Sequence, residues 1–237
     1  MRIVFTPGFM QPASAWEAVS AQLGERYSSV LVDHEQHTYE GRIGELADAG
    51  RGAVLCGYSL GGRLALHAAL RDPAAYAGLV IVGTSAGIEE PVARSERART
   101  DEKLAAWMET QPIETIVDIW ERQPLFADQS DGLVEAQRPG RLAQDPRSLA
   151  LILRTAGQGV LEPVWARLST LDLPVMAIAG DRDRRYSDAA RRIAREVPDG
   201  RAEIVEHAGH APQLQQPDTV ARLLADFLDQ DVGQDVG

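Results

Sequence analysis

The pentapeptide Gly57-Tyr58-Ser59-Leu60-Gly61 constrains the fold of this chain more than any other segment. An apolar run, Ala53 to Cys56, precedes it, and a stretch with helical periodicity follows it through Arg71. A G-x-S-x-G pattern between a strand and a helix is typical of a nucleophile elbow, which presents a serine on a sharp, strained turn. Glycine is needed beside the serine because side chains there would keep strand and helix apart. We therefore expect Ser59 to be a reactive serine at the end of a buried strand.

Segments with strand character alternate with segments of helical character along most of the chain. Short apolar or β-branched runs predict strands at Arg2 to Thr6, Ser29 to Asp33, Ala53 to Gly57, Gly78 to Gly83, Pro174 to Gly180 and Arg201 to Glu206. Apolar residues recur at helical spacing over Ala13 to Leu23, Leu60 to Arg71, Asp188 to Val197 and Thr219 to Leu228. This order predicts an α/β protein with a mostly parallel sheet and helices on both faces.

The alternation stops after the fourth predicted strand. From about residue 86 to 162 there is no convincing buried strand, only charged amphipathic stretches such as Glu96 to Met108 and several proline turn signals. We expect a helical lid over the strand ends, and the alternative is a set of surface helices with no part in binding. Residues 1–237 are expected to form one domain, with a flexible, frayed tail over residues 231–237.

Composition argues against several classes of protein. With 44% hydrophobic and 25% charged residues, the chain is expected to fold as an ordinary soluble protein. No apolar run approaches the roughly 20 residues of a membrane-spanning helix, and the start lacks a secretory signal, so we expect a cytoplasmic protein without membrane insertion. A net charge of −11 without a basic stripe argues against nucleic-acid partners.

Metal and disulfide chemistry find no support in the sequence. The single cysteine, Cys56, cannot form an internal disulfide and is expected to be a small buried hydrophobe. His34, His37 and His67 lack the spacing of metal ligands. We expect neither a metal nor another cofactor.

A reactive serine needs a histidine to take its proton and a carboxylate to orient that histidine. Behind an elbow of this kind the chain order is serine, acid, histidine. Asp183 follows the fifth predicted strand and is the preferred acid, with Asp181 as the alternative. His210 follows the last strand and is the preferred histidine, because Gly209 frees its loop; His207 is the competitor.

Developing negative charge on a substrate oxygen needs two preorganised backbone N–H groups. Leu60 is expected to supply one, since it follows the serine and opens a helix. Phe9, in the loop after the first strand, is expected to supply the other, with Gly8 permitting close backbone approach.

The chain resembles a family within the α/β-hydrolase fold, the 2-succinyl-6-hydroxy-2,4-cyclohexadiene-1-carboxylate synthases of menaquinone biosynthesis. The likeness covers nearly the whole chain and is carried by Gly57 to Leu66, Glu96-Arg97, Asp101 to Ala105, Trp120, Gln123 to Phe126 and Gly180 to Tyr186. The elbow motif is generic to the fold. The arginine after Gly62 and the Trp-x-x-Gln-Pro-Leu-Phe run are far more specific.

The resemblance implies a carbon-oxygen lyase that removes a proton from a succinyl-bearing cyclohexene carboxylate and eliminates pyruvate from its enolpyruvyl ether. Ser59, activated by His210 and Asp183, would then act as a base, with no acyl-enzyme. Such a small-molecule substrate carries several carboxylates, which arginine binds through paired hydrogen bonds. The implied substrate-binding residues are Tyr58, Arg63, Arg94 or Arg97, and Trp120, with Arg138 as a further candidate.

The chain departs from the family pattern at several positions. Pro7-Gly8 stands where the family usually has His-Gly, so the histidine that ordinarily orders the loop before Phe9 is missing. Arg185-Tyr186 replaces the usual lysine and phenylalanine after the acid, and Glu162 replaces a glutamine. These changes leave the three proposed catalytic residues in place.

Two other functions are compatible with the same motifs. One is a serine esterase or carbon-carbon bond hydrolase that uses the same three residues through an acyl-enzyme. The other is a non-catalytic protein that binds a small molecule on this scaffold. The basic lid argues against a hydrolase of neutral lipids, because Arg94, Arg97, Arg99 and Lys103 lie within ten residues. The oligomeric state is not predicted.

Overall fold

A sheet of six parallel strands lies at the centre of the protein. The computed structural model describes residues 1 to 233, with strands β1 (Arg2–Thr6), β2 (Ser28–Leu31), β3 (Val54–Tyr58), β4 (Gly78–Val82), β5 (Val175–Gly180) and β6 (Gly200–Val205). Their order is β2-β1-β3-β4-β5-β6, and every neighbouring pair is parallel. The carboxyl ends of all six strands therefore lie at one end of the sheet. This arrangement confirms the predicted α/β-hydrolase fold.

Helices cover both faces of the sheet and extend beyond one end of it. The helices within residues 1 to 233 are α1 (Glu17–Leu23), α2 (Tyr39–Gly50), α3 (Leu60–Arg71), α4 (Pro91–Met108), α5 (Ile113–Trp120), α6 (Asp131–Leu142), α7 (Pro146–Ala156), α8 (Arg184–Glu196), α9 (Pro212–Gln215) and α10 (Pro217–Phe227). The buried residues of α2, α3 and α8 belong to one apolar cluster, and those of α1 and α10 belong to another.

Successive side chains of each strand point to opposite faces of the sheet, so the sheet lies between these two clusters. In β1, Ile3 and Phe5 lie in the cluster with α1 and α10, whereas Val4 lies in the cluster with α2 and α3. Every residue of β3 and of β4 is buried. Strands covered on both faces are uniformly apolar, which explains the continuous hydrophobic runs in the sequence.

All six strands are predicted to within two residues of their observed ends, whereas the helices are predicted less well. Helix α2 is missed because Ile43 and Leu46 are its only large buried apolar side chains, too few to show helical periodicity. Helix α8 begins four residues earlier than predicted, at Arg184. Its start is set by Asp183, whose side chain accepts a hydrogen bond from the amide N–H of Tyr186.

The segment between β4 and β5 forms the predicted helical lid, which contains α4 to α7. These helices share a small apolar core that includes Ala105, Met108, Ile116 and Leu153. The loop after β1 takes part in it, because Met10 is buried in the same cluster and Phe9 packs against it. The lid therefore rests on the loop that is predicted to carry an oxyanion donor.

The prediction of a frayed tail from residue 231 is wrong for its first residues. Leu228–Val232 continues α10 as a wide helical turn, and Val232 is buried in the cluster that contains Phe227 and Leu224. An apolar residue at this position gains by packing against the sheet. The rest of the predicted tail, residues 234–237, lies outside the described residues. Within residues 1 to 233, every helix is too short or too polar to cross a membrane.

The turn between β3 and α3 has no room for side chains at its glycines. A Cβ atom on Gly57 would lie 2.4 Å from the carbonyl oxygen of Gly61, and one on Gly61 would lie 2.5 Å from the carbonyl oxygens of Thr6 and Pro7. Contacts this short with backbone atoms cannot be relieved by side-chain rotation. The two glycines therefore bring β1, β3 and the start of α3 together.

Replacement of Gly57 by alanine tests this steric argument. Because the backbone itself must move, we expect Gly57→Ala to lower the free energy of unfolding by about 2 kcal/mol or more, as overpacked cores do. Gly132→Ala in α6 is the matched control, because nothing lies within 4 Å of its added Cβ atom. The control should be neutral or stabilising by up to about 1 kcal/mol. Urea unfolding measures both values, and equal stability of the two variants would contradict the argument.

Candidate active site

Ser59 occupies the tip of the turn between β3 and α3. Its backbone has φ 50° and ψ −107°, a conformation that residues other than glycine rarely adopt. Two hydrogen bonds hold this conformation: the Ser59 amide donates to the carbonyl of Val82 at 2.8 Å, and the Thr84 hydroxyl donates to the Ser59 carbonyl at 3.1 Å. The result is a fixed serine at the carboxyl end of the sheet, as in a nucleophile elbow.

His210 lies between the serine and a carboxylate. Its Nδ1 is 2.8 Å from Oδ2 of Asp183, and its Nε2 is 3.3 Å from Oγ of Ser59. Because a carboxylate only accepts hydrogen bonds, Nδ1 carries the proton in the neutral ring and Nε2 is left to accept from the serine hydroxyl. The imidazole is buried, with the rings of Tyr186 and Tyr58 at 4.6 Å and 5.4 Å. This geometry suits proton transfer from Ser59 to His210.

The competing acid and histidine lie apart from the serine. Asp181 is exposed and accepts a hydrogen bond from the amide of Ala208, so it ties the loops after β5 and β6 together. Those two bonded loops carry Asp183 and His210. His207 is exposed and has a positive φ of 59° at the turn after β6. The structure thus brings together the preferred pair, Asp183 and His210.

The two predicted oxyanion donors are available for a ligand. Within residues 1 to 233, neither the amide N–H of Phe9 nor that of Leu60 forms a hydrogen bond. Leu60 opens helix α3, where the positive end of the helix dipole also favours negative charge. Phe9 and Leu60 both line the cavity that contains Ser59. Their role as donors remains a prediction.

A cavity of about 490 Å³ lies between the lid and the carboxyl ends of the strands. The predicted site residues that line it are Phe9, Tyr58, Ser59, Leu60, Arg63, Arg97, Trp120, Asp183 and His210. Its apolar wall includes Trp120, whose ring contacts those of Phe9 and Phe126. Burial raises the pKa of Tyr58, so its hydroxyl stays protonated over the physiological range. The cavity is large enough for a small molecule bearing several functional groups.

Arg63 and Arg97 bring positive charge into this cavity by different means. Arg63 is buried on α3, forms no ion pair within residues 1 to 233, and leaves its Nε without a partner. Burial lowers its pKa, with Arg97 and Arg185 adding repulsion. Arg97 is half-buried on α4, where its Nε donates to Asp101 at 2.7 Å and one terminal nitrogen donates to Gln158 at 2.8 Å.

The other two predicted arginines lie outside the cavity. Arg94 forms an ion pair with the exposed carboxylate of Glu162. Arg138 forms ion pairs with Asp118 and Glu121 on the far side of the lid. Arg94 is the predicted alternative to Arg97, and Arg138 is the further candidate; neither of them lines the cavity in the structure. Each of the two guanidinium groups pairs with an exposed carboxylate, Arg94 with Glu162 and Arg138 with Asp118.

Arg141 lines the cavity and was not predicted. It is 1% exposed and donates to Glu121 at 3.0 Å and to Gln137 at 2.8 Å, and its Nε has no partner among the described residues. The sequence gives little basis for choosing Arg141, since Arg138 carries the same charge and lies three residues earlier on the same helix. Only the rotation of α6 decides which of the two faces inward. Arg185 also lines the cavity, at its exposed rim.

Comparison with known proteins places these observations in a family. Residues 3–223 match the model of the alpha/beta hydrolase family. A Bacillus subtilis (strain 168) protein provisionally named 2-succinyl-6-hydroxy-2,4-cyclohexadiene-1-carboxylate synthase is 33% identical over 177 residues. That match covers 73% of this chain and 65% of the relative's own length. The synthase of that name from Escherichia coli O1:K1 / APEC is 27% identical, covering 95% of this chain and 93% of its own.

Solved structures show the same likeness at the level of the whole fold. The structure of MenH from S. aureus superposes with a TM-score of 0.91 at 25% identity, covering 98% of this chain and 94% of that one. A thermophilic esterase from Thermogutta terrifontis superposes with a TM-score of 0.75 at 21% identity, covering 97% and 90%. The second likeness concerns the fold alone.

Two aspartates in one loop provide a matched test of the proposed proton relay. We expect Asp183→Asn to slow the labelling of Ser59 by a fluorophosphonate at least about a thousandfold, because the histidine loses the carboxylate that fixes its tautomer. Asp181→Asn should keep the rate within a few-fold, since Asp181 contacts only backbone near the site. Mass spectrometry of the labelled peptide measures both rates. If labelling slows more in Asp181→Asn than in Asp183→Asn, Asp181 is the acid that orients His210.

Proposed function

The chain belongs to the alpha/beta hydrolase family, and we propose that it is a lyase of menaquinone biosynthesis. Its proposed reaction eliminates pyruvate from a succinyl-enolpyruvyl-hydroxycyclohexene carboxylate. The observation that carries this proposal is a cluster of arginines, Arg63, Arg97 and Arg141, in the cavity that holds Ser59 and His210. The names of the relatives favour the same reaction.

The arginine cluster favours a substrate with several carboxylates. A buried cation without a partner is costly, and an anionic ligand removes that cost by pairing with it. In the part of the chain that the structure describes, Arg63 and Arg141 each have a buried Nε without a partner, and one terminal nitrogen of Arg97 takes no part in its bonds to Asp101 and Gln158. Guanidinium groups bind carboxylates through two parallel hydrogen bonds, so fixed arginines also orient the ligand.

Ser59 is proposed to act as the base of the elimination. His210 accepts the proton of the serine hydroxyl, and Asp183 stabilises the charged imidazole that results. The serine oxygen then takes the proton from the ring carbon beside the succinyl carbonyl. The electrons of that C–H bond move into the ring as the C–O bond to the enolpyruvyl group breaks. The group leaves as the enolate of pyruvate, and the proton held by His210 passes to its CH2 carbon, which gives pyruvate and restores the neutral imidazole. No water is added, and no covalent enzyme intermediate forms.

The oxyanion donors have a matching role in this scheme. Removal of a proton beside a carbonyl places negative charge on the carbonyl oxygen. The amide N–H groups of Phe9 and Leu60 are proposed to bind that oxygen, and both are without a partner within residues 1 to 233. Trp120 and Phe126 form an apolar wall of the same cavity, and a lower local dielectric beside such a wall strengthens hydrogen bonds.

A serine esterase or carbon-carbon bond hydrolase is the second candidate. The 3.3 Å contact between Ser59 and His210 would serve equally well to activate a nucleophile. Such an enzyme has no need of three cavity arginines unless its substrate is also an anion. The arginines therefore favour the lyase over a hydrolase of neutral esters.

Pyruvate formation distinguishes these two candidates. We expect the purified protein to release pyruvate from the enolpyruvyl substrate, followed by coupling to lactate dehydrogenase. Ser59→Ala should lower kcat at least about a thousandfold, because the base is removed. The intact protein should hydrolyse p-nitrophenyl esters poorly. Rapid ester hydrolysis with no pyruvate formed would favour the hydrolase instead.

Two lid arginines provide a matched test of carboxylate binding. We expect Arg97→Gln to lower kcat/KM by about a hundredfold, the size of a lost hydrogen-bonded charge pair, mainly through a higher KM. Arg94→Gln should stay within about threefold of wild type, because its ion pair with Glu162 lies at the surface. Thermal unfolding of both variants separates lost binding from lost folding. If both variants fold and lose kcat/KM equally, a position in the cavity does not determine whether an arginine binds the substrate.

A further inference from the structure

A second hydrogen-bonded histidine, His34, lies between Thr6 and Glu45, outside the residues that line the cavity. His34 Nε2 is 2.8 Å from the hydroxyl oxygen of Thr6, and Nδ1 is 2.6 Å from Oε2 of Glu45. The His34 ring is buried, with 2% of the side chain exposed, and Thr6 is fully buried. The proposed chemistry at Ser59 uses none of these three groups.

The direction of each hydrogen bond follows from the acceptors. Glu45 has its other oxygen occupied by the amide N–H groups of Glu35 and Gln36, both at 2.9 Å. Since a carboxylate only accepts, Nδ1 of His34 donates to Glu45, and Nε2 is left to accept from the Thr6 hydroxyl. Burial lowers the pKa of His34 to about 4, with Arg42 as the second cause, so the ring is neutral at pH 7. One assignment of protons therefore satisfies both hydrogen bonds of His34.

Thr6 connects this network to both predicted oxyanion donors. It is the last residue of β1 and is followed directly by Pro7, Gly8 and Phe9. Its carbonyl accepts a hydrogen bond from the indole N–H of Trp16 at 3.1 Å. The same carbonyl packs against Gly61, where an added Cβ atom would lie 2.5 Å away. The position of Thr6 thus sets the spacing between the loop that carries Phe9 and the start of α3 that carries Leu60.

The loop after Thr6 packs against the lid through Phe9 and Met10 but has few backbone hydrogen bonds. Pro7 has no backbone N–H to donate. The Gly8 amide reaches the Gln11 side chain at 3.4 Å, the Gln11 amide donates to the Gly8 carbonyl at 3.3 Å, and within residues 1 to 233 the Phe9 amide has no partner. A loop with so few backbone hydrogen bonds depends on the residue that anchors it.

We propose that Thr6, His34 and Glu45 are positioning residues that hold the Phe9 amide at the correct distance from the Leu60 amide. The proposal rests on the proposed function in so far as both amides are taken to bind the carbonyl oxygen of the substrate. Glu45 fixes the tautomer of His34, His34 fixes the Thr6 hydroxyl, and Thr6 fixes the loop. The network thus supports the site from outside the cavity.

The test removes one hydroxyl without changing the shape of the side chain. Thr6→Val leaves Nε2 of His34 without its donor, and Thr6→Ser restores the hydroxyl but not the methyl group. Tyr27→Phe is the control, because it removes a hydrogen bond between Tyr27 and Asp229 that lies apart from the network. For each variant, kcat and KM for pyruvate formation are measured, together with thermal unfolding and amide hydrogen exchange of the peptide that contains Gly8 to Met10.

We expect Thr6→Val to lower kcat by about tenfold or more, less than the loss of an entire oxyanion donor, with KM within about twofold of wild type. Exchange in the loop peptide should rise. Thr6→Ser should recover kcat to within about threefold of wild type, and Tyr27→Phe should keep the wild-type kcat even if it unfolds at a lower temperature. Wild-type kcat in Thr6→Val, or a Thr6→Ser variant as impaired as Thr6→Val, would overturn the proposal.

A second readout separates failure of this proposal from failure of the proposed function. If the wild-type protein forms no pyruvate, the lyase assignment fails, and the rate of Ser59 labelling by a fluorophosphonate takes the place of kcat. That reaction also places an oxygen at the two amides and needs no natural substrate. Slower labelling and faster loop exchange in Thr6→Val, with recovery in Thr6→Ser, would then support the positioning role. Unchanged labelling and exchange in Thr6→Val would overturn it.

Discussion

The hydrogen bonds from Ser59 to His210 and from His210 to Asp183 are the contacts on which the rest of the site depends. A parallel sheet makes them attainable, because the carboxyl ends of β3, β5 and β6 lie at one end and their loops meet there. The serine is held at a positive φ, a conformation that costs about 1–3 kcal/mol and persists only where its surroundings enforce it. Here its hydrogen bonds with Val82 and Thr84 enforce it, in a turn whose glycines leave no room for side chains. The fold is thus less stable by this amount because it holds the hydroxyl of Ser59 in place.

The cavity gathers arginines in a chain that is acidic overall. The protein carries a net charge of −11, yet Arg63, Arg97 and Arg141 line the cavity that contains Ser59, with a carboxylate paired to the last two. They come from α3, α4 and α6, so neither the core nor the lid alone creates this charge. A bound anion with several carboxylates would offset the repulsion between Arg63 and Arg97 and the cost of burying Arg63.

Much of the fold could be predicted because its signals are local. Buried parallel strands are uniformly apolar, and the elbow motif between a strand and a helix fixes Ser59. Helix α2 lacks a local signal because it buries few large side chains. The lid arginines could not be sorted from sequence, since Arg138 and Arg141 differ only in which way α6 turns them. The network behind Thr6 depends on contacts across 28 residues of sequence, which no periodicity predicts.

The tautomer of the neutral His210 ring tests the central claim most directly. If Asp183 orients the imidazole and Ser59 donates to it, Nδ1 carries the proton and Nε2 is bare. Nitrogen-15 NMR of protein labelled at histidine distinguishes the two ring nitrogens, with His210→Gln used to assign the signals. The account predicts the tautomer protonated at Nδ1 at a pH where the ring is neutral. A ring protonated at Nε2 would leave no acceptor for the serine hydroxyl and would contradict the account.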